Sequence, residues 1–174
     1  MKEIKSNIIL IGMPGSGKST VGVILAKLTS CGFIDTDVLI QTAEGRSLQE
    51  IVDTDGYMCL RKIEQELLLR LDCWHHVIAT GGSAVYSHAA MEHLKRAGLV
   101  VFLDVDIGTL ELRIRDFESR GLAKRPDQTF ADLFRERHPL YRKYADITVD
   151  CARLTQEEVC ARIIAERRRL SANG

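Results

Sequence analysis

The eight residues Gly12–Ser19 have the sequence GMPGSGKS and directly follow the apolar run Ile8–Ile11. They fit the pattern G-x-x-x-x-G-K-[ST], and the residues after them have the apolar spacing of an amphipathic helix. Between a strand and a helix, this pattern builds a phosphate-binding loop, because backbone N–H groups turn inward and the helix N-terminus adds partial positive charge. We therefore predict a nucleoside triphosphate site, with Lys18 at the β- and γ-phosphates and Ser19 on Mg²⁺.

Short apolar runs alternate with stretches of helical periodicity along the rest of the chain. Such runs, bounded by polar residues or glycine, are typical of buried parallel strands. The five predicted strands are Ile8–Ile11, Gly32–Ile34, Val77–Ala79, Leu99–Leu103 and Ile147–Val149. Because strands and helices alternate, we predict an α/β fold with a parallel sheet covered by helices on both faces. Capping-box spacing at Ser47/Glu50 and at Thr155/Glu158 predicts two helix starts.

The composition, with 45% hydrophobic and 28% charged residues among 174, is typical of one globular domain spanning 1–174. Twenty-four Lys and Arg residues balance twenty-four Asp and Glu residues, so no net charge attracts the chain to nucleic acid or to an anionic membrane. No apolar run approaches the roughly 18–20 residues that span a bilayer, and no cleavage site follows the charged start, so we expect neither a membrane protein nor a signal peptide. The five cysteines are scattered without a C-x-x-C pair, which disfavours a disulfide framework or a zinc site and favours the cytoplasm.

Two carboxylates, Asp35 and Asp37, stand at the carboxyl end of the second predicted strand. Ligands of parallel sheets bind beyond this end of the strands. Asp35 is suited to hold Mg²⁺ through water, and Asp37 to accept a hydroxyl proton or to hydrogen-bond a polyol. The structural alternative is a helix N-cap followed by a solvated acid.

Arg61 and Glu64 are three residues apart on the predicted helix after Gly56. A guanidinium group suits bidentate capture of a carboxylate, so one interpretation has Arg61 facing an anionic substrate and Glu64 orienting it. The alternative is a surface ion pair. Gly81 and Gly82 follow the third strand, where they permit close approach of a ligand to the backbone or simply form a tight turn.

The segment 119–130 has neither a strand nor a helix pattern, and it contains basic residues, glycine and proline. Inside a compact domain, such a segment predicts a mobile lid, with a solvated loop as the alternative. Arg125 in this segment is suited to contact the transferring phosphoryl group, and Arg137 in the following helix to hold the acceptor. Each arginine taken alone is more often a surface charge.

Together these residues resemble the shikimate kinase family, small P-loop kinases related to nucleoside monophosphate kinases. The resemblance extends from Ile8 to about Asp150 and keeps the family's order of motifs. Beyond the phosphate loop, the matching segments are Asp35-Thr36-Asp37, Gly45-Arg46-Ser47, Asp55-Gly56 with Arg61 and Glu64, Thr80-Gly81-Gly82, Arg125-Pro126, and Arg137 with Pro139-Leu140-Tyr141. The resemblance implies a three-layer α/β/α P-loop kinase with a five-stranded sheet in the order 2-3-1-4-5 and a mobile lid.

The reaction implied by the resemblance is transfer of the ATP γ-phosphoryl group to the 3-hydroxyl group of shikimate, in aromatic amino-acid biosynthesis. The family is usually monomeric and cytoplasmic, and it uses Mg²⁺ with ATP as co-substrate. The residues implied to contact shikimate are Asp37, Arg61, Gly82 and Arg137. The two arginines would bind its carboxylate, and Asp37 would bind its hydroxyl groups and act as the base.

The resemblance also assigns the phosphate side of the site. The implied catalytic residues are Lys18, Asp37 and Arg125. The implied nucleotide-binding residues are Gly12, Gly15, Ser16, Gly17, Lys18, Ser19, Thr20, Arg125 and Arg153. Ser19 would bind Mg²⁺ directly and Asp35 through water, while either Arg115 or Arg120 would stack on adenine.

Several positions depart from the family's usual pattern. Ser83 stands in place of a third glycine, Leu60 in place of phenylalanine, and Val52 in place of an aromatic residue. Asp127 and Gln128 replace two leucines of the lid. Because losing an aromatic wall weakens binding by about 1–3 kcal/mol, these changes bear on the acceptor more than on the reaction type. The alternatives are a kinase for another carboxylated polyol such as gluconate, and a nucleotide-binding regulator without catalysis.

Overall fold

The five apolar runs form one parallel sheet in the computed structural model, which describes residues 6–114 and 121–172. Its strands are β1 (Asn7–Ile11), β2 (Gly32–Asp35), β3 (His76–Ala79), β4 (Gly98–Asp104) and β5 (Ile147–Asp150). Their order is β2-β3-β1-β4-β5, and every neighbouring pair is parallel. The predicted order 2-3-1-4-5 is therefore confirmed.

Helices connect the strands and cover the sheet. They are α1 (Lys18–Thr29), α2 (Thr36–Glu44), α3 (Leu48–Asp55), α4 (Tyr57–Arg70), α5 (His88–Ala97), α6 (Ile107–Arg113), α7 (Phe130–Tyr144) and α8 (Gln156–Ala172). Both predicted capping boxes are present. Ser47 and Glu50 close the start of α3 reciprocally, and Thr155 and Glu158 do the same before α8.

The core lies against the central strands, because parallel strands are covered on both faces. Every residue of β1 is buried, and Ile9 pairs with Ile78 of β3 and Val100 of β4. On one face, the Tyr141 ring of α7 stacks on Phe102 of β4 at 5.2 Å between centroids. Helix α7 is thereby fixed beside the carboxyl ends of β1 and β4, where the phosphate loop begins.

A second, smaller apolar cluster lies away from the sheet. Its buried members are Ile40, Ile51, Leu60 and Ala123, and Val52 packs against them. This cluster joins α2, α3 and α4 to the residues after the undescribed segment 115–120. Leu60 and Val52, which depart from the family pattern, are therefore packing residues of one apolar wall.

Trp74 is an exposed aromatic residue beside the sheet. It is 64% exposed, because it lies in the tight turn before β3 that His75 completes with a left-handed backbone (φ 58°). All five cysteines are free. Among residues 6–114 and 121–172, no helix is both long and apolar enough to span a membrane.

Candidate active site

A cavity of about 410 Å³, the main cavity, opens beyond the carboxyl ends of β1, β2 and β3. The phosphate loop, α2, α4, the turn after β3, residues 121–123 and α7 all contribute to its wall. Eight of the predicted site residues line it: Gly15, Gly17, Lys18, Ser19, Thr20, Asp37, Gly82 and Arg137. One cavity thus brings together residues from four separate stretches of sequence.

Lys18 points back into the phosphate loop. Its Nζ donates to the Gly12 carbonyl oxygen at 2.8 Å and to the Met13 carbonyl oxygen at 2.9 Å. Burial lowers the pKa of its ammonium group to about 8, against the opposing influence of Asp37. The ammonium group is therefore a desolvated cation held by neutral oxygens, and an anionic phosphate would stabilise it strongly.

The backbone of the phosphate loop is also suited to binding a phosphate. Gly17 caps α1 with φ 93°, a left-handed conformation that a side chain would strain. The first turn of α1 carries no acidic residue, so the partial positive charge of the helix N-terminus is left free for a ligand. Ser16 is buried and lines a side cavity of about 250 Å³ on the other side of the loop.

Ser19 and Asp35 form a pair of oxygen ligands at the edge of the loop. The Ser19 hydroxyl donates to Asp35 Oδ2 at 2.5 Å. Asp35 Oδ1 also caps α2, accepting from the amides of Asp37 at 3.0 Å and Val38 at 3.3 Å. Asp35 is therefore the N-cap of α2, as the structural alternative predicted. The same carboxylate also contacts Ser19, the residue with which it is predicted to hold Mg²⁺.

This pair fits a magnesium ion by its chemistry. Mg²⁺ prefers hard oxygen ligands and usually takes one or two from the protein, the rest coming from water and phosphate. Among the described parts of the chain, no group of three or more His, Cys, Asp or Glu residues could hold a metal on its own. Ser19 and Asp35 therefore fit a metal that arrives with a nucleotide rather than a closed protein site.

Two carboxyl groups face Gly81 at the floor of the main cavity. A methyl group on Gly81 would collide with Glu64 Oε1 and would come within 2.8 Å of Asp37 Oδ1. Burial raises the pKa of Asp37 above its ordinary value, while the neighbouring Lys18 opposes the rise. Only glycine lets both carboxyl groups approach this turn so closely.

Glu64 is almost completely buried, with 3% of its surface exposed. The Ser83 hydroxyl donates to its Oε2, and its Oε1 has no hydrogen-bond partner among the described residues. Burial raises its pKa to about 7, and the Ser83 hydrogen bond limits that rise. The alternative interpretation, a surface ion pair between Glu64 and Arg61, is wrong, because Glu64 is buried in the cavity floor and Arg61 donates to the Ala123 carbonyl.

The buried Glu64 makes a testable contribution to stability. The unfolded chain loses the Glu64 proton near pH 4.5 and the folded chain only near pH 7, so the free energy of unfolding falls between these values and stays lower above them. We expect Glu64→Gln to lack this loss and to gain on the order of 3 kcal/mol over wild type between pH 4.5 and 8. Urea denaturation across that range measures it. Glu66→Gln, an exposed change on the same helix, is the control, and parallel curves for wild type and Glu64→Gln would contradict the assignment.

Two guanidinium groups converge on one backbone oxygen. Arg61 Nε and Nη2 donate to the Ala123 carbonyl at 3.2 and 3.0 Å, and Arg137 Nη2 donates to the same oxygen at 2.9 Å. Arg137 is 1% exposed, whereas Arg61 is half-buried and lines an adjoining cavity. The Tyr86 ring lies against both, 3.7 Å from Arg61 Cζ and 5.2 Å from Arg137 Cζ. Two cations around one acceptor oxygen form a site suited to a carboxylate.

The Gly82 carbonyl and the α7 tyrosine connect this arginine pair to the sheet. Tyr141 donates to the Gly82 carbonyl at 2.6 Å, and a methyl group on Gly82 would come within 2.8 Å of Arg137 Nη1. Because Tyr141 also stacks on Phe102, the turn after β3 is joined to both α7 and β4.

The remaining predicted residues lie elsewhere. Arg125 is half-exposed and its Nη1 donates to Glu136 Oε2 at 3.3 Å, outside the main cavity. Arg153 is exposed in the groove between β5 and α8 rather than beside the phosphate loop. Arg115 and Arg120, the predicted adenine-stacking candidates, lie outside the described residues.

Sequence reasoning missed Arg113. Its Nη1 donates to the Gly15 carbonyl at 3.4 Å, and the residue lines both the main cavity and the side cavity. The side cavity also includes Cys151 and Leu154. Three arginines occur within eight residues of this segment, so the sequence alone does not single out Arg113, which the phase of α6 directs toward the loop.

Comparisons with known proteins show which family the chain resembles over nearly its whole length. A family model described as shikimate kinase matches residues 14–168. A shikimate kinase of Thermodesulfovibrio yellowstonii is 37% identical over 168 residues, covering 95% of this chain and 96% of its own.

Two solved structures are also similar over most of their length. The shikimate kinase from Acinetobacter baumannii in complex with shikimate has a TM-score of 0.86 at 31% identity, covering 94% of this chain and 93% of its own. The shikimate kinase from Aquifex aeolicus has a TM-score of 0.82 at 34% identity, covering 97% of this chain and 99% of its own. Each similarity covers more than nine-tenths of both chains.

Proposed function

The chain belongs to the shikimate kinase family and phosphorylates shikimate with ATP, and we propose that the main cavity is where this transfer to the 3-hydroxyl group takes place. One observation carries the proposal. Arg61 and Arg137 converge on a single oxygen beside the same cavity that holds Lys18 and Asp37. A carboxylate-bearing acceptor held there would present its hydroxyl groups toward the phosphate loop.

The nucleotide side follows from the phosphate loop. Lys18 and the amides at the start of α1 would bind the β- and γ-phosphates, and Ser19 with Asp35 would hold Mg²⁺. When bound, Mg²⁺ neutralises the charge that develops on the phosphate oxygens. Arg113 is the described arginine best placed to face adenine, because it lies beside Gly15 at the side cavity. Arg153 would have to reach the nucleotide from the neighbouring groove.

The acceptor side follows from the two arginines and the two carboxyl groups. Arg61 and Arg137 would bind the carboxylate of shikimate, and Gly82 would contact its ring. Asp37 would accept the proton of the 3-hydroxyl group, and because burial raises its pKa, it is a stronger base than an ordinary aspartate. Arg125, in the proposed lid 119–130, would join the phosphoryl group when the lid closes.

The positions that depart from the family pattern do not disturb this arrangement. Leu60 and Val52 belong to the small apolar cluster, and Ser83 is committed to Glu64 rather than to a ligand. The charged groups that the reaction needs are therefore independent of these substitutions. Leu60 also lines the main cavity, so its substitution bears on the shape of the cavity wall.

The function is tested by ADP release from ATP and Mg²⁺, with and without shikimate. We expect strong stimulation by shikimate and none by gluconate. If gluconate stimulated ADP release and shikimate did not, the acceptor would be gluconate rather than shikimate. Binding of ATP without phosphorylation of any carboxylated polyol would favour a nucleotide-binding regulator.

We further propose a cytoplasmic monomer. The five free cysteines fit a reducing compartment. Size-exclusion chromatography with light scattering would give the mass of a single 19.5 kDa chain. A larger species would overturn this part of the proposal.

Arg61→Ala tests the carboxylate site. Because Arg61 binds a part of the acceptor that does not react, its loss should weaken the ground state and the transition state alike. We expect the KM for shikimate to rise about tenfold to a hundredfold while kcat changes little. Arg70→Ala, an exposed change on the same helix, is the control. An unchanged KM for shikimate would show that Arg61 does not bind the acceptor.

A further inference from the structure

The anion site between Arg61 and Arg137 is occupied by the chain itself. The Ala123 carbonyl accepts three N–H groups from the two guanidinium ions, and this oxygen carries no formal charge. A carboxylate offers the same ions two oxygens and a full negative charge. The acceptor must therefore displace the Ala123 carbonyl to bind. It can do so because its carboxylate interacts more strongly with the two guanidinium ions than the carbonyl does.

The next residues of the same segment are tied to Glu136. This carboxylate accepts from Arg125 Nη1 at 3.3 Å and from Gln128 Nε2 at 2.9 Å, and also from the Tyr86 hydroxyl. Gln128 Oε1 in turn accepts from the Arg125 amide at 3.3 Å. Arg125 is thus held against α7 by both its backbone and its side chain.

We propose that Glu136 is a positioning residue that keeps Arg125 away from the phosphate loop until an acceptor carboxylate displaces Ala123. Glu136 and Arg137 are neighbours on α7, and Tyr86 contacts both of them and Arg61. The acceptor site and the Arg125 anchor are therefore parts of one contact network. The inference rests on the proposed roles of Arg61, Arg137 and Arg125.

The consequence concerns water as a competing acceptor. In hydrolysis, the oxygen of water bonds to the γ-phosphorus, the bond from that phosphorus to the β–γ bridging oxygen breaks, and ADP, inorganic phosphate and a proton are released. Arg125 would stabilise the charge of this transfer as it does that of the transfer to a hydroxyl group. With Arg125 held on Glu136, hydrolysis lacks that stabilisation until an acceptor has filled the site.

Release of ADP from ATP and Mg²⁺ without acceptor tests the proposal. We expect Glu136→Gln to raise this rate about fivefold, as fits the loss of a partly exposed ion pair. Glu166→Gln removes the charge from a carboxylate that pairs with Arg169 on α8, and it should leave the rate unchanged. The rise should disappear in the double variant Glu136→Gln/Arg125→Ala, because the released group is then missing.

A second measurement uses the wild-type chain and does not depend on how the variant folds. Shikimate alone should speed tryptic cleavage between Lys124 and Arg125 severalfold, since it frees Ala123. An unchanged cleavage rate, or an unchanged rate of hydrolysis in folded Glu136→Gln, would overturn the proposal while shikimate phosphorylation persists. Failure of the wild-type protein to phosphorylate shikimate would instead refute the proposed function.

Discussion

Lys18→Met is expected to lower kcat by about a thousandfold, or about 4 kcal/mol of transition-state stabilisation. The reason lies in where the ammonium group sits. It is buried at the start of α1, where it donates to the neutral carbonyl oxygens of Gly12 and Met13, and the nearby Asp37 offsets only part of the cost of burying its charge. The ammonium group would attract phosphate oxygens in the main cavity, and this attraction is strong because the group is shielded from water.

Lys18→Met should lower kcat without lowering the stability of the folded chain. The folded-state pKa of Lys18, about 8, lies below the 10.5 of a free lysine, so the unfolded chain binds the proton first as pH falls. The free energy of unfolding therefore decreases from pH 10.5 to pH 8, and the whole penalty is present at pH 7. Removing the charge relieves this penalty and offsets the lost hydrogen bonds. We expect a melting temperature at pH 7 no lower than that of wild type.

Steady-state kinetics and thermal unfolding of Lys18→Met and Lys27→Met make the comparison. Lys27 lies in the last turn of the same helix and is exposed, so it serves as a matched control with unchanged turnover. Turnover of Lys18→Met within a few fold of wild type would refute the assignment of Lys18 to the phosphates.

The fold was predictable because its signals are local. Each strand is a short apolar run, and the structure extends all five by one or two residues without moving any of them. The phosphate loop is specified by a motif in its required context, and the capping boxes at Ser47 and Thr155 mark helix starts directly. The resemblance supplied the sheet order, which alternation of elements alone could not give.

Side-chain partners were harder to predict, because they depend on helix phase and on distant segments. Glu64 and Ser83 are 19 residues apart, and their hydrogen bond cannot be inferred from an i, i+3 spacing with Arg61. The sequence assigns Arg125 to the lid and to the phosphoryl group, but it does not indicate a contact with Glu136. That contact depends on how the lid lies on α7. The assignments of individual residues to shikimate and ATP stay predictions.

Asp37→Asn is expected to lower kcat for shikimate phosphorylation by about a thousandfold, the middle of the range for loss of a general base. The amide keeps the shape of the carboxylate but cannot take the hydroxyl proton. The KM for shikimate should change little, since an amide oxygen still accepts hydrogen bonds. Asp53→Asn, on an exposed face of α3, is the control that should behave as wild type.

The pH profile of kcat identifies the base. Burial raises the pKa of Asp37 above 3.8, so protonation should remove activity at a pH above that value, and this acid limb should be absent in Asp37→Asn. Glu64 is the competing candidate, because it faces the same turn at Gly81. However, Ser83 occupies one of its oxygens, and with a pKa of about 7 it is half-protonated at neutral pH. If Glu64→Gln instead of Asp37→Asn abolished both turnover and the acid limb, the base would be Glu64, and the phosphoryl acceptor would lie against α4 rather than α2.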